Sequence, residues 1–193
     1  MKEKIREILS RREKRSIIVT DAPLVPAAVL LPLYAKKGEY HILFTKRTEK
    51  MEYHKGQISF PGGARHPDDL SLADTALREA FEEIGVRPED VEILGELDDM
   101  STLTSNFRIA PFVALIPHPY EFVVSGYEIE KLIEVPIAAL LEKGCYREEF
   151  NIYQDKPYLR CSYRYKDEVI WGATARILKQ FLDLAFGENQ DGR

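Results

Sequence analysis

The sequence predicts an α+β fold, a mixed central sheet flanked by helices on both faces. Strand-like segments outnumber helical ones, and the two kinds alternate irregularly. No internal repeat, low-complexity tract or composition break divides the chain. With 193 residues, 45% apolar and 31% charged, there is material for one sizeable core and little for a second. We assign one domain to residues 21–186, preceded by a helical extension over 1–20 and followed by a polar tail over 187–193.

The N-terminal MKEKIREILSRREKR predicts an amphipathic surface helix with Ile5, Ile8 and Leu9 on one side. AAVLLPLYA (27–35) and EYHILFTKRT (39–48) predict two strands joined by a hairpin turn at Lys36, Lys37 and Gly38. HKGQISFPGG (54–63) predicts the end of a strand and a tight loop. A helix follows, capped by Ser71 or Asp74 and stopped by Gly85, with Ala73, Ala76, Leu77, Ala80, Phe81 and Ile84 as its core stripe. VEILGELDDM (91–100), FRIAPFVALIP (107–117) and YEFVVSG (120–126) predict further strands. IEKLIEVPIAALLEKG (129–144) predicts a short helix with Pro136 near its start. Residues 148–172 predict a hairpin, and ATARILKQFLDLAF (173–186) predicts a last amphipathic helix.

A net charge of −5 gives no support to broad binding of nucleic acid or anionic membrane. Cys145 and Cys161 match neither zinc-site nor disulfide-framework spacing, so a partly buried reduced pair is expected. The N-terminus lacks the apolar core of a secretory signal, and no run suits a bilayer, so the expected location is the cytoplasm.

LREAFEEIGV (77–86) carries the chemistry. Glu79, Glu82 and Glu83, at i, i+3 and i+4, project from one side of a helix. Such a patch repels itself, and hard divalent cations remove that penalty by taking the same oxygens as ligands. The opposite, apolar side would hold the carboxylates in place on an exposed face. Just upstream, Gly62 and Gly63 offer backbone that can approach a phosphate or present a carbonyl to a metal. Arg78 supplies a charge partner that orients the carboxylates or lowers their proton affinity.

The stretch from Gly63 to Val86 resembles the Nudix box, G-x5-E-x7-R-E-U-x-E-E-x-G-U. Arg78, Glu79, Glu82, Glu83, Gly85 and Val86 match its second half, and Ala80 is smaller than the pattern wants. In the first half, the interval from Gly63 to Arg78 is one residue longer, and Asp68 or Asp69 replaces the early Glu. The resemblance implies an α/β/α Nudix sandwich over the 21–186 domain. It implies hydrolysis of a nucleoside diphosphate linked to a further group, with Mg²⁺ or Mn²⁺. Glu79 and Glu83, then Glu82, are its implied metal ligands, with Gly63 alongside; these glutamates and Arg78 form the catalytic set.

Leu43 to Gly63 further resembles the CoA pyrophosphatase subgroup, through Leu43, Thr45, Arg47, His54, Gly56, Gln57, Ser59, Phe60, Pro61, Gly62 and Gly63. IWGATARIL (170–178) resembles its C-terminal region. The implied substrate is coenzyme A or a CoA derivative, contacted by Arg47, Lys50, His54, Gln57, Gly62 and Gly63. Glu52 departs from the subgroup, which places Arg there. Lys46, Lys55 and Arg65 are other nearby cations. ADP-ribose, NADH or a dinucleoside polyphosphate remain alternative substrates. A non-catalytic nucleotide sensor is the reading from another class, opposed by the intact glutamate triplet. The expected partner is a small nucleotide, and a homodimer is possible on this sequence.

Overall fold

In this computed structural model, which describes residues 1–17, 24–50, 55–102, 105–153 and 156–187, the chain begins α1 (Lys2–Arg11), β1 (Val25–Lys36), β2 (Glu39–Arg47), β3 (Ile58–Ser59), β4 (Gly62–Ala64) and α2 (Leu72–Ile84). It continues β5 (Glu92–Glu96), β6 (Met100–Ser101), β7 (Phe107–Leu115), β8 (Ile129–Pro136) and α3 (Ile137–Leu140). It ends β9 (Tyr146–Tyr153), β10 (Lys156–Tyr165), β11 (Glu168–Trp171) and α4 (Gly172–Phe186).

β1 and β7 run parallel in unbroken register from Val25↔Phe107 to Leu33↔Leu115. Around them the ladder β3-β2-β1-β7-β5 is antiparallel, with β4 on β1, β6 on β7 and β8 on β2. The sheet is therefore mixed, as expected. Successive side chains of β1 point to opposite faces. Ala28 and Leu30 meet Ala76 and Ala80 of α2, whereas Leu31 and Leu33 join Ile5 and Leu9 of α1 and Phe181 of α4. Helices thus cover both faces. β9, β10 and β11 form a second, antiparallel sheet that packs Cys161, Tyr163 and Ile170 into the larger core. Both cysteines are buried and free.

Several expectations change. The 120–126 segment forms no strand, because α2 uses its donors: the Val123 and Ser125 N–H groups donate to the Ile84 and Glu83 carbonyls at 3.1 and 2.9 Å. IEKLIEV is strand β8 instead of helix, since Ile133 and Val135 face the core and β2 offers a partner edge. The helix after it spans four residues, with Pro136 in the N-cap place. Residues 148–172 make three strands where a hairpin was expected, and 62–64, expected as loop, pairs with β1. Phe81 of the expected core stripe is 52% exposed.

The N-terminal segment expected as an extension buries Ile5 and Leu9. Lys2 and Arg6 pair with Glu92, Arg12 with Asp98, and Lys14 with Glu96 at 2.7 Å. Among the described residues, no helix is long and apolar enough to cross a membrane.

A buried carboxylate fixes the loop ahead of α2. Asp69 accepts from the His66 N–H, the Thr75 hydroxyl and the Arg78 guanidinium at 2.8, 2.8 and 3.0 Å. Ser71 caps the helix by accepting from the Asp74 N–H, and Gly85 ends it in the left-handed region at φ 73°. Arg78, with the other donors, holds the Asp69 carboxyl well below the usual carboxylate range.

Ile5→Ala is expected to lower unfolding free energy by about 2–4 kcal/mol in urea titration, while exposed Lys4→Ala changes it by less than about 0.5. Asp69→Asn is expected to lower stability by about 1–3 kcal/mol at neutral pH. A depressed native pKa stabilises above the unfolded value near 4 and is lost as pH falls towards the native one. Urea midpoints of the wild type and Asp69→Asn should therefore converge on acidification from neutral pH to about 3.

Candidate active site

The packing of α2 on β1 through Ala76 and Ala80, both without exposed surface, brings the helix close against the sheet. β4 lies beside the same strand, so the glycine segment and the glutamate face meet. At Gly62 a Cβ would stand 2.3 Å from the Ala28 carbonyl oxygen, with φ at 156°. Backbone cannot yield there, so only glycine fits. At Gly63 a Cβ would fall 2.6 Å from the Glu79 carboxylate. The glycine pair thus lets β4 close against β1 on one side and against the Glu79 carboxylate, one of the expected ligands, on the other.

Glu83 lies elsewhere than predicted. It is 3% exposed, beneath β4 instead of on an open face. The Gly62 N–H faces its carboxylate, Arg47 Nη1 stands 3.6 Å from Oε1, and Oε2 is buried without a hydrogen-bond partner. Burial pushes its carboxyl up to about 8, against the pull of Arg47 and the Gly62 N–H. Burial also raises Glu79. Arg78 gathers the rest: its guanidinium reaches Glu79 Oε1 at 2.8 Å, Glu82 Oε2 at 2.9 Å, Asp69 Oδ1 at 3.0 Å and the Ala64 carbonyl at 3.1 Å.

Among the described residues, no three acid, His or Cys side chains converge as a cluster fit to hold a metal. Glu79 and Glu82 turn onto Arg78, and Glu83 faces Arg47. The donor chemistry nevertheless suits a hard divalent ion. Glu83 Oε2 needs a partner, Glu79 borders the bare Gly63 backbone, and Glu82 is exposed enough to swing.

Of the residues expected to touch substrate, Arg47 is engaged by protein. β2 meets β8 in a bulge at Lys46/Arg47, and bulges re-aim side chains. The Arg47 guanidinium lies between Glu83 and Glu128, the latter 3.4 Å from Nη2. Its own N–H donates to the Gln57 carbonyl at 2.9 Å. Lys50 and Lys55 are exposed, Lys46 pairs with Glu168 at 3.2 Å, and Arg65 donates to the Asp69 carbonyl. His54 and Glu52 lie outside the described residues. Glu128 is the residue the sequence reading missed. It has no motif spacing to α2, and only the turn closing the 120–128 segment brings it to Arg47.

The match to known proteins falls on the same elements. The NUDIX domain family model matches residues 23–138. An uncharacterized Nudix hydrolase NudL from Citrobacter koseri is 35% identical over 156 residues, covering 80% of this chain and 79% of that protein. Its counterpart from Yersinia pestis is 35% identical over 157 residues, covering 79% and 76%. Among solved structures, a MutT/nudix family protein from Enterococcus faecalis aligns with TM-score 0.56 at 14% identity over 86% of this chain and 64% of that one. A C. elegans Ap4A hydrolase aligns with TM-score 0.50 at 18% identity over 60% and 82%. These structures share the fold. The span of the family model takes in β1, the glycine strand and the glutamate helix, and with these relatives it shows that the chain belongs to the Nudix family, hydrolases of pyrophosphate-containing substrates.

Proposed function

We propose that this enzyme cleaves the pyrophosphate bond of coenzyme A or a CoA derivative, with Mg²⁺ or Mn²⁺, giving 3′,5′-ADP and 4′-phosphopantetheine or its acyl form. The buried, unpartnered Glu83 oxygen beside the glycine strand carries the hydrolytic reading. The run from Leu43 to Gly63 supports the choice of substrate.

Each residue has a physical task. Glu83 and Glu79 would hold the divalent ion from one side, with Glu82 joining them from the exposed turn and the Gly63 backbone leaving room beside them. When bound, that ion neutralises phosphoryl charge and lowers the pKa of a coordinated water. Arg47 offsets the charge of Glu83, and Arg78 anchors the glutamate face to Asp69 and β4. Gly62 and Gly63 admit the diphosphate against main chain. Glu128, held by Arg47, adds a carboxylate at the rim. Lys50, His54 and Gln57 are assigned to the nucleotide portion through the subgroup likeness.

Glu83→Gln should lower kcat by at least about a hundredfold, the equivalent of a few kcal/mol of transition-state charge stabilisation. Its far-UV circular dichroism should match the wild type, because Gln is nearly isosteric. Product release should be followed with CoA, acyl-CoA, ADP-ribose, NADH and Ap4A, each with Mg²⁺, Mn²⁺ or chelator. The expected result is metal-dependent turnover with the highest kcat/KM on a CoA species. Preference for ADP-ribose, NADH or Ap4A overturns the substrate assignment, and nucleotide binding without turnover favours the sensor. Glu52→Arg is expected to lower the KM for CoA, since a cation would replace an anion in the stretch assigned to a phosphorylated ligand.

A further inference from the structure

The β9–β10 hairpin carries an apolar face that runs beyond the core. In its register Tyr146 faces Tyr163, Phe150 faces Leu159 and Ile152 faces Pro157, all on one side, with Glu148 opposite Cys161 as the one charge among them. At the inner end Tyr163 is 3% exposed, whereas farther out Phe150 is 86% and Ile152 77% exposed. β9 is also the sheet's edge: in the order β11-β10-β9 its outer side meets no strand among the described residues. A long edge with exposed apolar side chains is a template for strand pairing.

We propose that this edge joins two copies of the chain, β9 pairing antiparallel with β9 of the second copy about a twofold axis. Charge narrows the register, and the length of the ladder settles it. An axis normal to the sheet allows only registers in which one residue faces its own copy. Centring on Arg147, Glu148 or Glu149 sets like charge against like, which is destabilising. Centring on Phe150 opposes Phe150 to itself, Glu149 to Asn151 and Glu148 to Ile152, with no like charges facing. Centring on Asn151 also avoids repulsion but leaves Arg147 and Glu148 beyond the ladder. The Phe150-centred pairing closes the open edge and gathers both Phe150 rings and both Ile152 side chains out of water. Three strands from each copy then form one continuous sheet.

The test is the molar mass of the full chain by light scattering and sedimentation between about 1 and 100 µM, where interfaces of micromolar affinity populate. The wild type should show the mass of two chains, and Phe150→Glu the mass of one throughout that range. Residue 150 is exposed, so the variant should keep the wild-type circular dichroism. Under mild oxidant Phe150→Cys should cross-link into a covalent dimer, because directly opposed residues lie within disulfide reach. Asn151→Cys should not, since its opposite residue is Glu149. Native Cys145 and Cys161 are buried and leave the assay clear. A wild type that stays monomeric, a dimer that survives Phe150→Glu, or cross-linking at 151 instead of 150 would each overturn the proposal.

Discussion

The Glu83 carboxylate is held out of water between β4, Arg47 and the last turns of α2. Leaving an ionised group there without enough partners costs several kcal/mol, so the surroundings must either protonate it or bring it a cation. Arg47 provides part of that charge from 3.6 Å, too far for a tight pair, and one oxygen stays unpartnered. The site is thus built with an electrostatic debt that a divalent ion is suited to discharge. The alanines of α2 and the bare glycines of β4 bring that carboxylate to its position, and the bulge in β2 aims Arg47 at it.

Arg78 plays the opposite part. It touches three carboxylates and a main-chain carbonyl, so its single charge is more than met. Asp69 ties this cluster to the loop before α2, giving the acid in the first half of the box a clear structural task. The glutamate face is therefore fixed at two points, one oversupplied with anions and one undersupplied with cations.

The helix bearing the glutamates was legible because its cap, stop and period all agree: Ser71, Gly85 and the spacing of Ala76, Ala80 and Ile84. Position within the helix was less so. Phe81 reads as core by size, yet small alanines face the sheet and leave Phe81 outside. Glu83 reads as solvent-facing by charge, yet the buried face includes it. IEKLIEV satisfies helical and strand periods almost equally, and only the presence of β2 as a neighbour decides for strand. Glu128 and the role of Arg47 depend on contacts between distant segments, which no local pattern encodes.

The docking of α1 has a consequence for biogenesis. Arg6 and Arg12 find their acidic partners 86 positions later, and the central parallel pair likewise joins Val25 to Phe107. A ten-residue helix is marginal by itself in water. On the ribosome it must wait, its apolar stripe unburied, until β5 and β7 have left the exit tunnel. Native structure in this half of the molecule is thus acquired only after those strands emerge, and the charges around Ile5 and Leu9 keep the waiting segment hydrated in the meantime.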